Sequence, residues 1–210
     1  MVVVHKALRR ELSLLPGVVS AVAPGDRRRS ARIERHARLV LTFLREYHDS
    51  EDRLLWPVLR SRAALSNLLI DTVEEQHRLI ADLSVGCQPE FTSWSHTGDP
   101  GQRDRIVEGL SELERVLLTS LDFEESNMLP AIHEHLSVQE WSELNKQAIG
   151  NAASGPRARL TLAGVVLEDA TPPEGAWFMN VMPSPRRMLW HAIGGRWYVR
   201  YSRSIRRDIR

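Results

Sequence analysis

The chain has 210 residues, 42% of them hydrophobic, and a formal net charge of +1, which suits one domain, or a domain with a substantial appendage, around a packed core. Its single cysteine, Cys87, excludes an intrachain disulfide and a cysteine-rich metal site. No apolar run approaches the roughly 20 residues of a membrane span, and Val2-Val3-Val4 is too short for a signal-peptide core, so a soluble, cytoplasmic protein is expected.

In chain order, Val4, Leu8, Leu12, Leu15 and Val19 recur at helical spacing and predict a first helix over 3–22, kinked at Pro16. A turn at 23–26 follows, with Asp26 placed to cap a long second helix over 27–59 that Pro57 kinks or ends. A third helix is expected over 66–85, with Leu69, Val73, His77 and Ile80 on one stripe. Residues 86–101, rich in Gly, Pro, Ser and Thr, read as a surface loop. A fourth helix over 102–135 is interrupted near Pro130, and Ser137-Val138-Gln139-Glu140 is a capping-box signature for a short fifth. Weaker helical segments follow: one at 157–169, one after Pro172-Pro173, one after Ser184-Pro185, and an arginine-rich one beyond Gly194-Gly195. No strand is expected. The fold class is all-α: a four-helix bundle over 1–145 and a helical extension over 146–210.

Charge is unevenly spread. From Pro183 to Arg210 there are eight arginines and one acid, Asp208, so the rest of the chain is net acidic. The tail reads as a solvated helical face docked on the acidic body. A basic run alone is weak evidence for nucleic acid or anionic lipid, so neither is expected as a partner.

The segment Tyr47–Pro57 recurs 73 residues later as Ser120–Pro130. The copies share Asp49/Asp122, Glu51/Glu124, a second acid at Asp52/Glu125, an apolar Leu55/Met128 and Pro57/Pro130. One helix each supplies His5, Glu51, His77 and Glu124, and antiparallel packing can bring all four to one level. A lone histidine is more often a surface or satisfied core residue. Four such groups on four helices, two of them on a repeat, point to a site.

With His5–Leu12, Asp49–Pro57, Gln76-His77, Asp122–Glu125 and Leu129-Pro130 in place, residues 5–145 resemble the hemerythrin-like (HHE) family. The resemblance implies an up-down four-helix bundle in which histidines on helices one and three, and a His-x-x-x-Glu on each of helices two and four, bind two irons. His5, Glu51, His77 and Glu124 occupy four of those positions, whereas Tyr47 and Ser120 stand where the family has histidine. Losing two imidazoles weakens both metal positions. His48 and Asp52 form another i, i+4 pair, but one residue out of register, about 100° around the helix. Its counterpart in the second copy is Leu121 and Glu125, so slippage restores half a site at most.

The first functional reading is therefore an acid/base enzyme without metal or other cofactor, carrying out dehydration, conjugate addition or cyclisation of a largely apolar small molecule. His5, Glu51, His77 and Glu124 would be catalytic, with Tyr47, Ser120, His36 and His48 lining the substrate pocket. The alternative is a weakened non-haem iron site for oxygen, peroxide or nitric oxide chemistry or sensing, with His5, Glu51, His77 and Glu124 as ligands. A third is a non-catalytic binding or scaffold bundle. A homo-oligomer is left open.

Overall fold

A computed structural model describes residues 1–62, 67–151 and 155–207, without the side chains of 148–151. Among them every regular element is helical. Four long helices make the bundle: α1 (Val2–Ser20), α2 (Arg27–Ser50) continuing through α3 (Trp56–Arg62), α4 (Asn67–Thr97), and α5 (Pro100–Phe123) continuing through α6 (Leu129–His135). The expected start of the third helix, Ser66, and Asp208 and Arg210 of the tail lie outside the described residues.

The helix ends follow local chemistry. The Asp26 carboxylate accepts from the Arg29 N–H at 2.9 Å, and that of Asp99 from the Gln102 N–H at 2.8 Å, satisfying donors that a first turn leaves open. The two connections at this end touch. Gly25 N–H donates to the Gly98 carbonyl at 2.9 Å, and both residues have positive φ, 78° and 67°. A Cβ at Gly98 would meet the Gly25 backbone at 2.9 Å, so only glycine permits this approach.

The expected loop over 86–101 is instead helical as far as Thr97. Cys87, Phe91 and Trp94 continue the buried stripe of α4, and burial of Trp94 outweighs the weak propensity of its polar neighbours. Pro89 sits on the exposed side, where water can satisfy the carbonyl it leaves unbonded.

Neither Pro57 nor Pro130 ends its helix. Each follows a π-turn, Glu51–Leu55 or Glu124–Met128, in which the Trp56 or Leu129 N–H bonds back to the carbonyl of Glu51 or Glu124. The widened turn accommodates a proline that has no N–H to give. The sequence repeat is thus a backbone repeat, and both π-turns begin on a repeated glutamate.

Two apolar layers fill the bundle. One contains Leu8, Leu44, Ile80 and Leu121; the other contains Leu55, Val73, Met128 and Ile132. Along each helix the polar residues His48, Glu51, His77 and Glu124 fall between a member of one layer and a member of the other, as does His5 between Leu8 and Met1.

Beyond the bundle come α7 (Val138–Asn151), which spans the expected boundary at 145, then α8 (Pro156–Leu167), α9 (Pro172–Val181), α10 (Ser184–Leu189) and α11 (Gly195–Arg206). A third apolar cluster joins Val3 and Ala7 of α1 to Ala163, Val166, Phe178 and Tyr198. A Cβ at Gly164 would lie 2.1 Å from the Tyr198 ring, so this glycine lets α11 seat on α8. Charge reinforces the docking: Arg206 donates to the buried Glu11 at 2.8 Å and to Glu168 at 2.7 Å.

Candidate metal centre

α2 brings in Tyr47 and His48, its π-turn Glu51 and Asp52, α4 Gln76 and His77, α5 Ser120, its π-turn Glu124 and Glu125, and α1 His5. His5, His48, Glu51, His77, Ser120 and Glu124 are all buried.

The second acid of each copy orients a facing histidine. Asp52 Oδ1 accepts from His77 Nδ1 at 2.7 Å, and Glu125 Oε1 from His5 Nδ1 at 2.9 Å. Fixing a ring through Nδ1 turns Nε2 toward the centre, the arrangement that presents an imidazole lone pair to a metal. The repeated acid pair in the sequence was the signal for this role.

The two halves of the layer then diverge. On one side His5 Nε2 lies 2.9 Å from the Tyr47 hydroxyl and 3.5 Å from Glu124 Oε2. Ser120 Oγ is 3.1 Å from Gln76 Oε1 and 3.4 Å from Glu124 Oε1. Hydrogen bonds occupy that half. On the other side one ligand atom each from His48, Glu51, His77 and Glu124 lies within 4.8 Å of the others. The His48 ring stacks on that of His77 with centroids 3.9 Å apart and planes 3° from parallel. His48 thus joins Glu51, three residues on and adjacent on the helix surface, while Asp52 turns to His77.

His36 sits apart. Its Nε2 is 3.0 Å from Glu11 Oε2 and its Nδ1 2.9 Å from the Tyr201 hydroxyl, so it ties the bundle to α11. It is not among the residues lining the cavity described below.

The protonation states follow from burial and neighbours. Burial, reinforced by the Glu124 charge, pushes the Glu51 carboxyl up to about 8. Burial also opposes ionisation of Glu124, but hydrogen bonds and charge from His5 and His77 prevail and hold it well below the usual range. Burial works against a charged His77 too, and is outweighed by Asp52, Glu124 and Glu51, so its pKa rises to about 10. His48 is held well below the histidine range by burial and then by the stacked His77. Burial and the two central carboxylates keep the Tyr47 hydroxyl protonated.

His48 Nε2 and Glu51 Oε2 are buried without a hydrogen-bond partner, and Glu124 Oε2 has His5 Nε2 at 3.5 Å. Each orphan of this kind costs about 1–3 kcal/mol, and here two sit in one cluster with His77 and Glu124. A cation bonded at about 2.1 Å holds its ligand atoms no more than about 4.2 Å apart, so the 4.8 Å spread closes with small side-chain movements. Imidazole and carboxylate donors suit iron, zinc or manganese. The residues present fit a metal.

The family model described as the hemerythrin HHE cation binding domain matches residues 1–132, and the chain belongs to that family. No curated protein and no solved structure matches the chain. Together with the buried His/Glu cluster, membership overturns the expectation that no cofactor is involved, and the metal-free acid/base reading falls with it. No helix among the described residues is long and apolar enough to cross a membrane.

Proposed function

We propose that the chain holds one metal ion, iron foremost, through His48, Glu51, His77 and Glu124, and uses it in chemistry or sensing of a small ligand such as oxygen, peroxide or nitric oxide. The observation that carries this reading is that His48 Nε2 and Glu51 Oε2 are buried without partners beside His77 and Glu124, while hydrogen bonds occupy the other half. A single ion is the stoichiometry such asymmetry favours. Bound iron supplies a redox-active electrophile.

The chain's own side chains supply the rest. Glu125, partly exposed, contacts His5, and His5 contacts Tyr47. The Tyr47 hydroxyl in turn interacts with Glu51. This file of groups runs from the solvent edge to the centre and can carry a proton to Glu51 Oε. Tyr47 presents a fixed donor to whatever small molecule occupies the site, and the apolar layers above and below keep bulk water out.

Elemental analysis of protein from an iron-replete host, followed by anaerobic cobalt(II) titration, tests the reading. One equivalent is expected, lost in His48→Ala and His77→Ala and kept in His5→Ala. Two equivalents in the unmodified chain would refute the single-ion site, and none would refute metal binding altogether.

A further inference from the structure

A cavity of about 280 Å³ lies between α2 and the C-terminal helices. Phe43 and Tyr47 face it from α2, and Trp141, Trp177, Phe178 and Trp190 from α7, α9 and the turn after α10. Of the four clustered metal-site residues only Glu51 reaches its wall. Tyr47 stands one helical turn before Glu51, its ring open to the cavity and its hydroxyl turned inward to His5. The space therefore ends on the metal site.

The charged groups of the wall are already engaged. Among the described residues the charged side chains there are Glu46, Glu51, Arg159 and Arg186. Glu46, Arg159 and Arg186 each have a partner within the chain, and Glu51 belongs to the metal cluster. Burial lowers the pKa of the Met1 amine and so favours its uncharged form. A charged ligand would therefore leave water without a free counter-charge to meet it, a far larger cost than moving an uncharged group. An uncharged aromatic molecule escapes that cost and gains from burial and from packing on the tryptophan and phenylalanine rings. Small-molecule sites run from about 300 Å³ upward and are mostly apolar. This cavity, at the lower end, suits a molecule of about a dozen to fifteen non-hydrogen atoms.

We propose that the cavity takes an uncharged aromatic molecule, packed among Phe43, Trp177, Phe178 and Trp190 with one end against Tyr47 beside Glu51. Such a molecule is the class of organic substrate presented to the metal centre. The proposal rests on the metal reading only for what happens at Glu51, since binding in the cavity needs no metal.

The probes are 2-(2-naphthyl)ethanol, the anionic 2-naphthylacetate and the cationic 2-(2-naphthyl)ethylamine, titrated by calorimetry into the full chain at pH 7, metal-free and cobalt(II)-loaded. One alcohol per chain is expected, at least about tenfold tighter than either charged probe. Trp177→Ala, at a half-buried wall position, should weaken the alcohol about tenfold. Ala163→Phe, which fills the cavity, should abolish its binding while circular dichroism stays that of the unmodified chain; should that variant fail to fold, Trp177→Ala decides. In the cobalt(II) form the proton resonances of the bound alcohol should be broadened relative to the zinc(II) form, because the cavity ends beside Glu51. A charged probe binding as tightly as the alcohol, no binding of the alcohol, no effect of the substitutions, or no broadening in the cobalt-loaded chain would overturn the proposal. Cobalt absorption reads the metal site separately: cobalt without the alcohol sinks the cavity reading alone, and the alcohol without cobalt sinks the metal reading alone.

Discussion

Binding of one divalent metal to the metal-free chain at pH 7 should release close to two protons. Ligation needs Glu51 as carboxylate and His77 as neutral imidazole. In the metal-free chain Glu51 ionises only near pH 8 and His77 loses its proton near pH 10, so both are protonated at neutrality. Glu124 and His48 add none, since the first is already ionised and the second already neutral. The sign is fixed: affinity rises with pH, because protons are products of binding. With two released, it climbs about 100-fold per pH unit from pH 6 to just below 8. The slope falls toward tenfold per unit above the Glu51 value and flattens above that of His77. Zinc titrations by calorimetry, in buffers of differing ionisation heat, read the proton count directly. Glu51→Gln should lower the count by about one as well as weakening binding. Fewer than one proton per metal in the unmodified chain at pH 7 would show that the charge assignment is wrong.

Asp52→Asn should weaken metal binding by about 10- to 100-fold, whereas Glu125→Gln should change it little, because Asp52 holds a histidine of the cluster and Glu125 holds His5; equal losses in cobalt titrations would argue for two metals. Glu11, held near 2 by His36, Arg10 and Arg206 against the pull of burial, contributes about 3 kcal/mol. Because its pKa is depressed, that stability is present above 4.5 and lost as pH falls toward 2. Glu11→Gln should therefore lower the urea-unfolding free energy at pH 7 by about that amount and much less at pH 3. Trp94→Ala should cost about 3–5 kcal/mol if the end of α4 belongs to the core, and a change below 1 kcal/mol in the same assay would return that stretch to the surface.

Much of the fold was legible because the period of the apolar residues decides a helix wherever its stripe is long. Leu8, Leu12 and Leu15 needed nothing further. The end of α4 was hidden because Gly86, Pro89 and a run of Ser and Thr carry loop chemistry locally, while the evidence for helix is three residues, Cys87, Phe91 and Trp94, whose value depends on what they pack against. Residues 156–206 show the same limit. α8 is buried on nearly every side, so it has no polar face to betray its period, and the cavity it closes exists only once α9 and α10 fold over α2.

The site divides along the same line. Sequence position put Glu51, His77 and Glu124 at one level, but position on a regular helix makes residues four apart the natural pair, which favoured Tyr47 over His48. The π-turns change what that register means. They start on Glu51 and Glu124 themselves, so the next residue in each copy, Asp52 or Glu125, still reaches a histidine across the bundle and fixes its ring. Both copies keep that device; only one keeps an imidazole on the helix before it. Where the first has His48, the second has Leu121, fully buried in the apolar layer. An apolar residue there leaves the second copy no donor to replace the histidine that Ser120 displaced, and Ser120 itself is turned to Gln76 and Glu124. The asymmetry of the centre thus follows one pair of positions in the internal repeat, His48 and Leu121: imidazole on one side, leucine on the other. That pair is why a bundle built from two similar halves gathers its unpartnered atoms on the half that His48 serves.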